Sequence, residues 1–205
     1  MRVETHIYIM YPTAYDRSDL SAALRTLRSG GIILYPTDTV WGIGCDATNS
    51  EAVSRIFALK RRADSKAMLV LLDSASRLTR YVTVPDVAWD LLDAASEGAS
   101  RPLTIIYPEA RNVAASLIAE DGSLGVRVTG EAFSRALCAG LQRPLVSTSA
   151  NVSGQAAAKR FDEISEEIRQ GVDYVCRYRQ DDTEDHLPSS IMKLGADGTF
   201  TIIRP

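Results

Sequence analysis

Short apolar runs alternate with longer segments of helical period along this chain, and that alternation restricts the fold more than any other feature of its 205 residues. Residues 32–35 (Ile-Ile-Leu-Tyr) and 68–72 (Met-Leu-Val-Leu-Leu) are too short for buried helices and too apolar for half-exposed strands. Such runs read as strands covered on both faces. Residues 103–107 and 124–128 read as further strands, and 144–147 as another that leads into a polar cluster. Between them lie amphipathic helices. Ser18 is expected to cap a helix carrying Leu20, Ala23, Leu24 and Leu27, stopped by Gly30-Gly31. Ser50 is expected to cap a second, with Val53, Ile56, Phe57 and Lys60 on one face. Pro85 opens a third, with Val87, Leu91 and Leu92. Residues 133–141 and an acidic stretch at 162–170 complete the helices. Residues 5–11 suggest an edge strand, 172–178 another strand, and 190–194 with 199–203 a hairpin across Gly195-Ala196-Asp197-Gly198. No repeat or linker divides the chain, so residues 1–205 are expected to form a single α/β domain, a twisted mixed β-sheet flanked by helices.

An apolar fraction of 45% and a charged fraction of 24% are those of an ordinary globular protein. The net charge of -3 argues against binding nucleic acid chiefly through its phosphates, and leaves room for a local basic cavity that takes a small anion. Cys45, Cys138 and Cys176 are far apart and form no CxxC, so they read as buried residues in a reducing compartment. No run approaches the ~18 apolar residues of a membrane span, and the first residues lack a basic start before an apolar core. A cytoplasmic protein without membrane contact is expected. His6 and His186 lack nearby cysteine or histidine partners, so no zinc pattern is seen and no protein-held metal is expected, and neither is convincing as a general base. There is no P-loop and no GxGxxG.

Three polar clusters remain. Lys60-Arg61-Arg62, with Lys66 beyond it, ends a helix just before a buried strand, where cations suit the macrodipole and face the crevice in which open sheets bind ligands. Lys60 and Arg62 are expected in that cavity rather than in the core. Ser147-Thr148-Ser149-Ala150-Asn151 is a poor continuation of a strand or a helix and reads as a loop, with Gly154 free to approach a ligand. Pro36-Thr37-Asp38-Thr39 begins a glycine-punctuated loop, read either as a cap or as a set of groups for a small polar ligand. Cations together with small hydroxyl and amide groups suit a polyanion such as a nucleoside triphosphate.

Taken together, these pieces resemble the YrdC-like family of L-threonylcarbamoyladenylate synthases. The resemblance covers residues 30–205. It rests, in order, on Gly-Gly-Ile-Ile-Leu-Tyr-Pro-Thr-Asp-Thr-Val-Trp-Gly-Ile-Gly-Cys-Asp from Gly30, the Lys-x-Arg of Lys60 and Arg62 with Lys66, and Arg-Pro-Leu-Thr ending at Thr104. Gly-Val-Arg-Val around Arg127, the Ser-x-Asn of Ser149 and Asn151, and Ile-Ile-Arg-Pro at Arg204 follow. The resemblance implies a sheet whose concave face holds a basic cavity, and an adenylate-forming nucleotidyltransferase. Its substrates would be ATP with Mg²⁺, L-threonine and bicarbonate or CO2. By motif position, Lys60, Arg62, Lys66, Arg127, Ser149, Asn151 and Arg204 would serve ATP, with Lys60 and Arg62 closest to the chemistry. Thr37, Thr104 and Ser189 would lie near threonine or its carbamate. Implied partners are a threonylcarbamoyl-transferase complex acting on tRNA and a contact with tRNA or double-stranded RNA.

Departures cluster on the presumed threonine side. Ala63 stands where the family usually has proline, Arg101 where it has glycine, and Leu71 where many members have histidine. Pro188-Ser189-Ser190 replaces Glu-Ser-Thr. Two alternatives follow: a YciO-like paralogue using nucleotide with another substrate, and a non-catalytic RNA-binding module.

Overall fold

The computed structural model describes residues 15–61, 68–96, 101–184, 186 and 188–205. The expected edge strand at 5–11 therefore lies outside the described residues, as do Arg62, Ala63 and Lys66. Among the described residues, nine strands form one mixed sheet in the order β7-β1-β2-β6-β3-β5-β4-β8-β9. They are β1 (Ile33–Tyr35), β2 (Gly42–Gly44), β3 (Leu69–Leu72), β4 (Leu103–Tyr107), β5 (Leu124–Val128), β6 (Leu145–Ser149), β7 (Tyr174–Val175), β8 (Ser190–Leu194) and β9 (Phe200–Arg204). The helices are α1 (Arg17–Arg28), α2 (Ser50–Leu59), α3 (Val87–Ser96), α4 (Ala132–Leu141) and α5 (Glu166–Gln170). The expected mixed sheet flanked by helices is thus what forms. None of the described helices is long and apolar enough to cross a membrane.

Two-residue alternation along the strands sorts the sheet into two faces. Val70, Leu72, Ile105, Tyr107, Leu124, Val126 and Val146 point into one core with Ala52, Val53, Ile56 and Phe57 of α2. On the other face Ile33, Tyr35, Leu71 and Leu145 pack with Ala23 and Leu27 of α1 and Phe133, Leu137 and Leu141 of α4. That second cover spans only half the sheet. Beyond α4 the same face carries Leu69, Thr104, Ile106, Gly125, Arg127 and Ser147, and these line an open groove. Leu71, one of the departures noted in the sequence, lies in the α1–α4 core and not in the groove.

Local signals held, with shifts. Helix α1 ends in a Schellman arrangement: Gly30, at φ 80°, donates its N–H to Leu27 O, and Gly31 donates to Thr26 O. Its cap is Asp16 rather than Ser18, because the carboxylate accepts from the Ser18 N–H at 2.7 Å. Likewise Asn49 rather than Ser50 caps α2. The acidic segment at 162–170 is a short 3-10 turn, Phe161–Glu163, followed by α5, and the strand expected at 172–178 shrinks to β7.

Two corrections bear on the site. Residues 42–44, read as loop because of their glycines, form β2 between β1 and β6. Ser147, Thr148 and Ser149, also read as loop, are the last residues of β6, with Ser147 opposite Leu69 and Ser149 opposite Gly42. Pairing on both sides satisfies their backbone, and the open groove accepts the polar side chains of Ser147 and Ser149 that a core would reject. The glycines of β2 are required by space: a Cβ on Gly44 would lie 2.6 Å from the Val146 carbonyl oxygen and 2.7 Å from the Tyr35 ring. Gly44→Ala is expected to cost about 1–3 kcal/mol of stability, as overpacking does. A shift of the urea midpoint measures it. Gly125→Ala, whose Cβ would meet Leu69 at 3.4 Å, is expected to shift it far less.

Candidate functional site

The groove has two halves that share Met68, Leu69 and Ile191. One, of about 490 Å³, is lined by Thr39, Arg127, Ser147, Thr148, Ser149, Lys159, Ser189 and Arg204 among others. The other, of about 620 Å³, has a floor of Leu69, Ile106, Gly125 and Ile191, with Asp121 and Lys193 paired at its rim. Each is of ligand-binding size.

Arg127 sits at the centre of the first half, on β5, only 4% exposed. Its Nη1 donates to Asp38 Oδ1 at 2.6 Å and to Thr39 Oγ1 at 3.1 Å, and its Nε donates to Thr104 Oγ1 at 3.1 Å. Nη2 has no hydrogen bond among the described residues. The other carboxylate oxygen of Asp38 accepts from Thr129 Oγ1 at 3.2 Å. Thr104 in turn meets Ser189 at 2.9 Å, and Arg204 Nε donates to the Ser189 carbonyl at 2.7 Å. One polar chain thus runs from Asp38 in the first loop to Arg204 on the last strand. Burial, together with the neighbouring guanidiniums of Arg127 and Arg101, pulls the Arg204 pKa below its ordinary value. Guanidiniums that disfavour one another's charge gain from an anion between them.

Lys60 is not where the sequence suggested. It is the C-cap of α2 and only 1% exposed, inside the molecule rather than facing the groove. Its ammonium donates to the carbonyl of Ser149 and, at 2.6 Å, to that of Asn151, while its own carbonyl accepts from Ser153 N–H at 2.9 Å. The reason is local: Lys60 continues the buried Val53–Ile56–Phe57 face, so its stem follows that face inward and its charge must meet carbonyls. Arg61, at φ 49°, turns the chain outward, and its side chain pairs with Glu167 at 2.6 Å. The basic run is therefore split between an inner and an outer partner.

Ser149 and Asn151 stand together as expected, Ser149 Oγ donating to Asn151 Oδ1 at 2.5 Å. The amide nitrogen of Asn151 fixes the following turn through the carbonyls of Val152 and Gln155. The Thr37 hydroxyl is turned into its own loop: it donates to Val40 O at 2.8 Å and accepts from Thr39 N–H at 2.9 Å. Thr39, which sequence reasoning did not single out, lines the groove instead. Asp38 and Lys159 were also missed as individual residues. Asp38 lay within the Pro36–Thr39 motif, whereas Lys159 had no signal in a polar loop.

Residues 25–205 match the family model Sua5_yciO_yrdC, described as "Telomere recombination". The chain is 33% identical over 159 residues to a threonylcarbamoyl-AMP synthase of Pseudoalteromonas translucida, covering 78% of this chain and 85% of that one. It is 36% identical over 145 residues to the threonylcarbamoyl-AMP synthase of Idiomarina loihiensis, covering 71% and 78%. Among solved structures, Sua5 of P. abyssi carrying H234A/Y235A superposes with a TM-score of 0.79 at 23% identity, over 91% of this chain and 56% of that one. The same protein complexed with L-threonine gives 0.73 at 22%, over 85% and 50%. The chain thus spans about half the length of these Sua5 chains. E. coli YciO gives 0.77 at 24%, over 92% and 89%.

Proposed function

Since the chain belongs to the Sua5/YciO/YrdC family, we propose that its groove forms L-threonylcarbamoyladenylate and pyrophosphate from L-threonine, bicarbonate or CO2, and ATP. One observation carries this reading: Arg127, Arg204 and the small polar residues Ser147 and Ser149 converge on one half of a groove whose other half has an apolar floor. The phosphates occupy the arginine half and the base lies against Leu69, Ile106 and Ile191.

The chemistry needs no protein nucleophile. The threonine amine attacks CO2, forming a C–N bond and losing a proton, to give a carbamate. A carbamate oxygen then attacks the α-phosphorus, the bond to the β-phosphate breaks, and pyrophosphate leaves with its electron pair. Bringing a carbamate to a triphosphate opposes like charges, so the protein's task is alignment and charge compensation. Arg127 suits that task because Asp38, Thr39 and Thr104 fix its plane while Nη2 keeps its donors. Magnesium arrives as part of the MgATP substrate. Asp38 is committed to Arg127 and Thr129, so the metal would ride on phosphate and water oxygens. Arg62 and Lys66, beyond the end of α2, are assigned to the same phosphates by their motif. The adenylate would pass to a transferase acting on tRNA.

Pyrophosphate release tests the reading. With ATP, Mg²⁺ and bicarbonate, release is expected to depend on threonine and to be slow with other amino acids. Release that favours another amino acid would support the YciO-like alternative. No release, with RNA affinity that falls steeply with salt, would support the binding module.

A further inference from the structure

The two edges of the sheet are closed to different degrees. At one edge β7 is only two residues long, and the main-chain N–H groups of Arg177 and Tyr178 just beyond it donate to the buried carboxylate of Asp19 on α1, each at 3.0 Å. At the other edge, among the described residues, β9 pairs with β8 alone. Phe200, Ile202 and Ile203 are each more than half exposed there, and residues 200–203 include no charge and no proline. Charges and prolines are the usual means by which an edge strand avoids joining another chain.

The register shows which main-chain groups stay open. Gly195 N–H donates to Thr199 O at 2.8 Å, and Leu194, Lys193 and Met192 stand opposite Phe200, Thr201 and Ile202. Antiparallel bonds fall on alternate residues, so Thr199 and Thr201 bond toward β8, while the N–H and C=O groups of Phe200 and Ile202 point away from it. Cross-strand neighbours share a face of the sheet. Phe200 and Ile202 therefore stand on the side of Leu194, in the core that α2 covers, and Thr201 stands with Lys193 on the groove side.

We infer that a second copy of this chain occupies the edge, its β9 antiparallel to the first, with Thr201 opposite Thr201 of the partner subunit across a two-fold axis. That register sets Phe200 against Ile202 of the partner subunit, and the reverse. Each such pair exchanges two main-chain bonds, so every outward N–H and C=O of Phe200 and Ile202 is satisfied in both copies. The apolar side chains meet on one face and the threonines on the other. No charge meets its own copy, because the Arg204 side chain is turned inward to the Ser189 carbonyl at 2.7 Å. This reciprocal match of main chain and side chains is what favours the chain's own copy over an unrelated strand. The axis is perpendicular to the sheet, so both grooves open on the same face of one continuous sheet. The three exposed side chains offer roughly 300 Å² of apolar surface per copy, at the low end of interface sizes, so dissociation at about 1–100 µM is expected. The seam is independent of what the groove binds.

Thr201→Cys reads the register directly. The axis brings the two Cα atoms to about 4.5 Å, the spacing of a non-hydrogen-bonded pair and within reach of a disulfide. Mild oxidation is expected to give a covalent dimer, whereas Ala196→Cys, on the exposed hairpin turn, should stay monomeric. Cys45, Cys138 and Cys176 are buried and should not interfere. Sedimentation of the wild-type chain should show a monomer–dimer equilibrium, which Ile202→Asp weakens about 100-fold, since symmetry counts each lost contact twice. A chain with Phe200→Lys and Ile202→Lys, mixed with one carrying Phe200→Asp and Ile202→Asp, should form a mixed dimer although neither pairs with itself. That recovery shows that the variants are folded. A wild-type chain still monomeric at about 1 mM, tenfold above the expected range, would overturn the inference. So would Thr201→Cys cross-linking no faster than Ala196→Cys, or a dimer that survives Ile202→Asp. Protection of the Phe200 and Ile202 amides from exchange in a monomer would also overturn it, by giving the edge to another part of the same chain.

Discussion

Arg127→Met is expected to stop turnover and to cost the fold about 3–5 kcal/mol, the usual consequence of leaving a buried charge without its partner. The charge left behind is Asp38, paired with Arg127 at 2.6 Å, with side-chain exposures of 5% for the arginine and 13% for the aspartate. Among the described residues, only Thr129 Oγ1, at 3.2 Å, would remain to satisfy it. The two losses separate in the double variant Arg127→Met/Asp38→Asn, where neither charge remains. Most of the stability should return, because a buried pair replaced by neutral groups is often nearly neutral in energy. Activity should not return, because the guanidinium assigned to the phosphates is still missing. Urea unfolding and pyrophosphate release measure the two independently. A double variant that regains turnover would show that Arg127 serves only to neutralise Asp38.

Lys60→Ala is the second large expected effect, and here stability and function fall together. The substitution removes a buried stem and the ammonium that joins the carbonyls of Ser149 and Asn151 to the end of α2. Losing a large buried side chain costs about 2–5 kcal/mol, and the freed segment carries two residues assigned to ATP. A lower melting temperature and weaker ATP binding are both expected. Lys60→Arg should not rescue either, since a planar fork does not fit where a compact ammonium meets two converging carbonyls. A Lys60→Ala protein as stable as wild type, deficient only in turnover, would return Lys60 to the groove as a direct ligand.

The order of elements was legible because short apolar runs and helix periodicity are local signals. β1, β3, β4 and β5 emerge from runs of the expected length, and α1, α2 and α4 from their apolar faces. What failed to show was pairing. Gly42–Gly44 has no strand-like composition; it becomes β2 because β1 and β6 flank it and glycine alone fits beneath Tyr35. Ser147–Ser149 has loop chemistry; it becomes strand because β2 and β3 pair with it and the open half of the sheet takes Ser147 and Ser149. The site was legible as motifs and illegible as geometry. Arg127, Ser149, Thr104, Ser189 and Arg204 do converge on or beside the groove. The inward path of Lys60, the turn taken by Thr37 and the clamp that Asp38 places on Arg127 depend on long-range contacts that no spacing encodes.

The central claim is that this groove joins threonine, bicarbonate and ATP into an adenylate. It is tested most directly by supplying isotopically labelled bicarbonate with ATP, Mg²⁺ and L-threonine, and identifying the product by mass spectrometry. A threonylcarbamoyl-adenylate carrying the label, formed in step with pyrophosphate, is the predicted result. Nucleotide turnover that leaves the label out of any adenylate would contradict it.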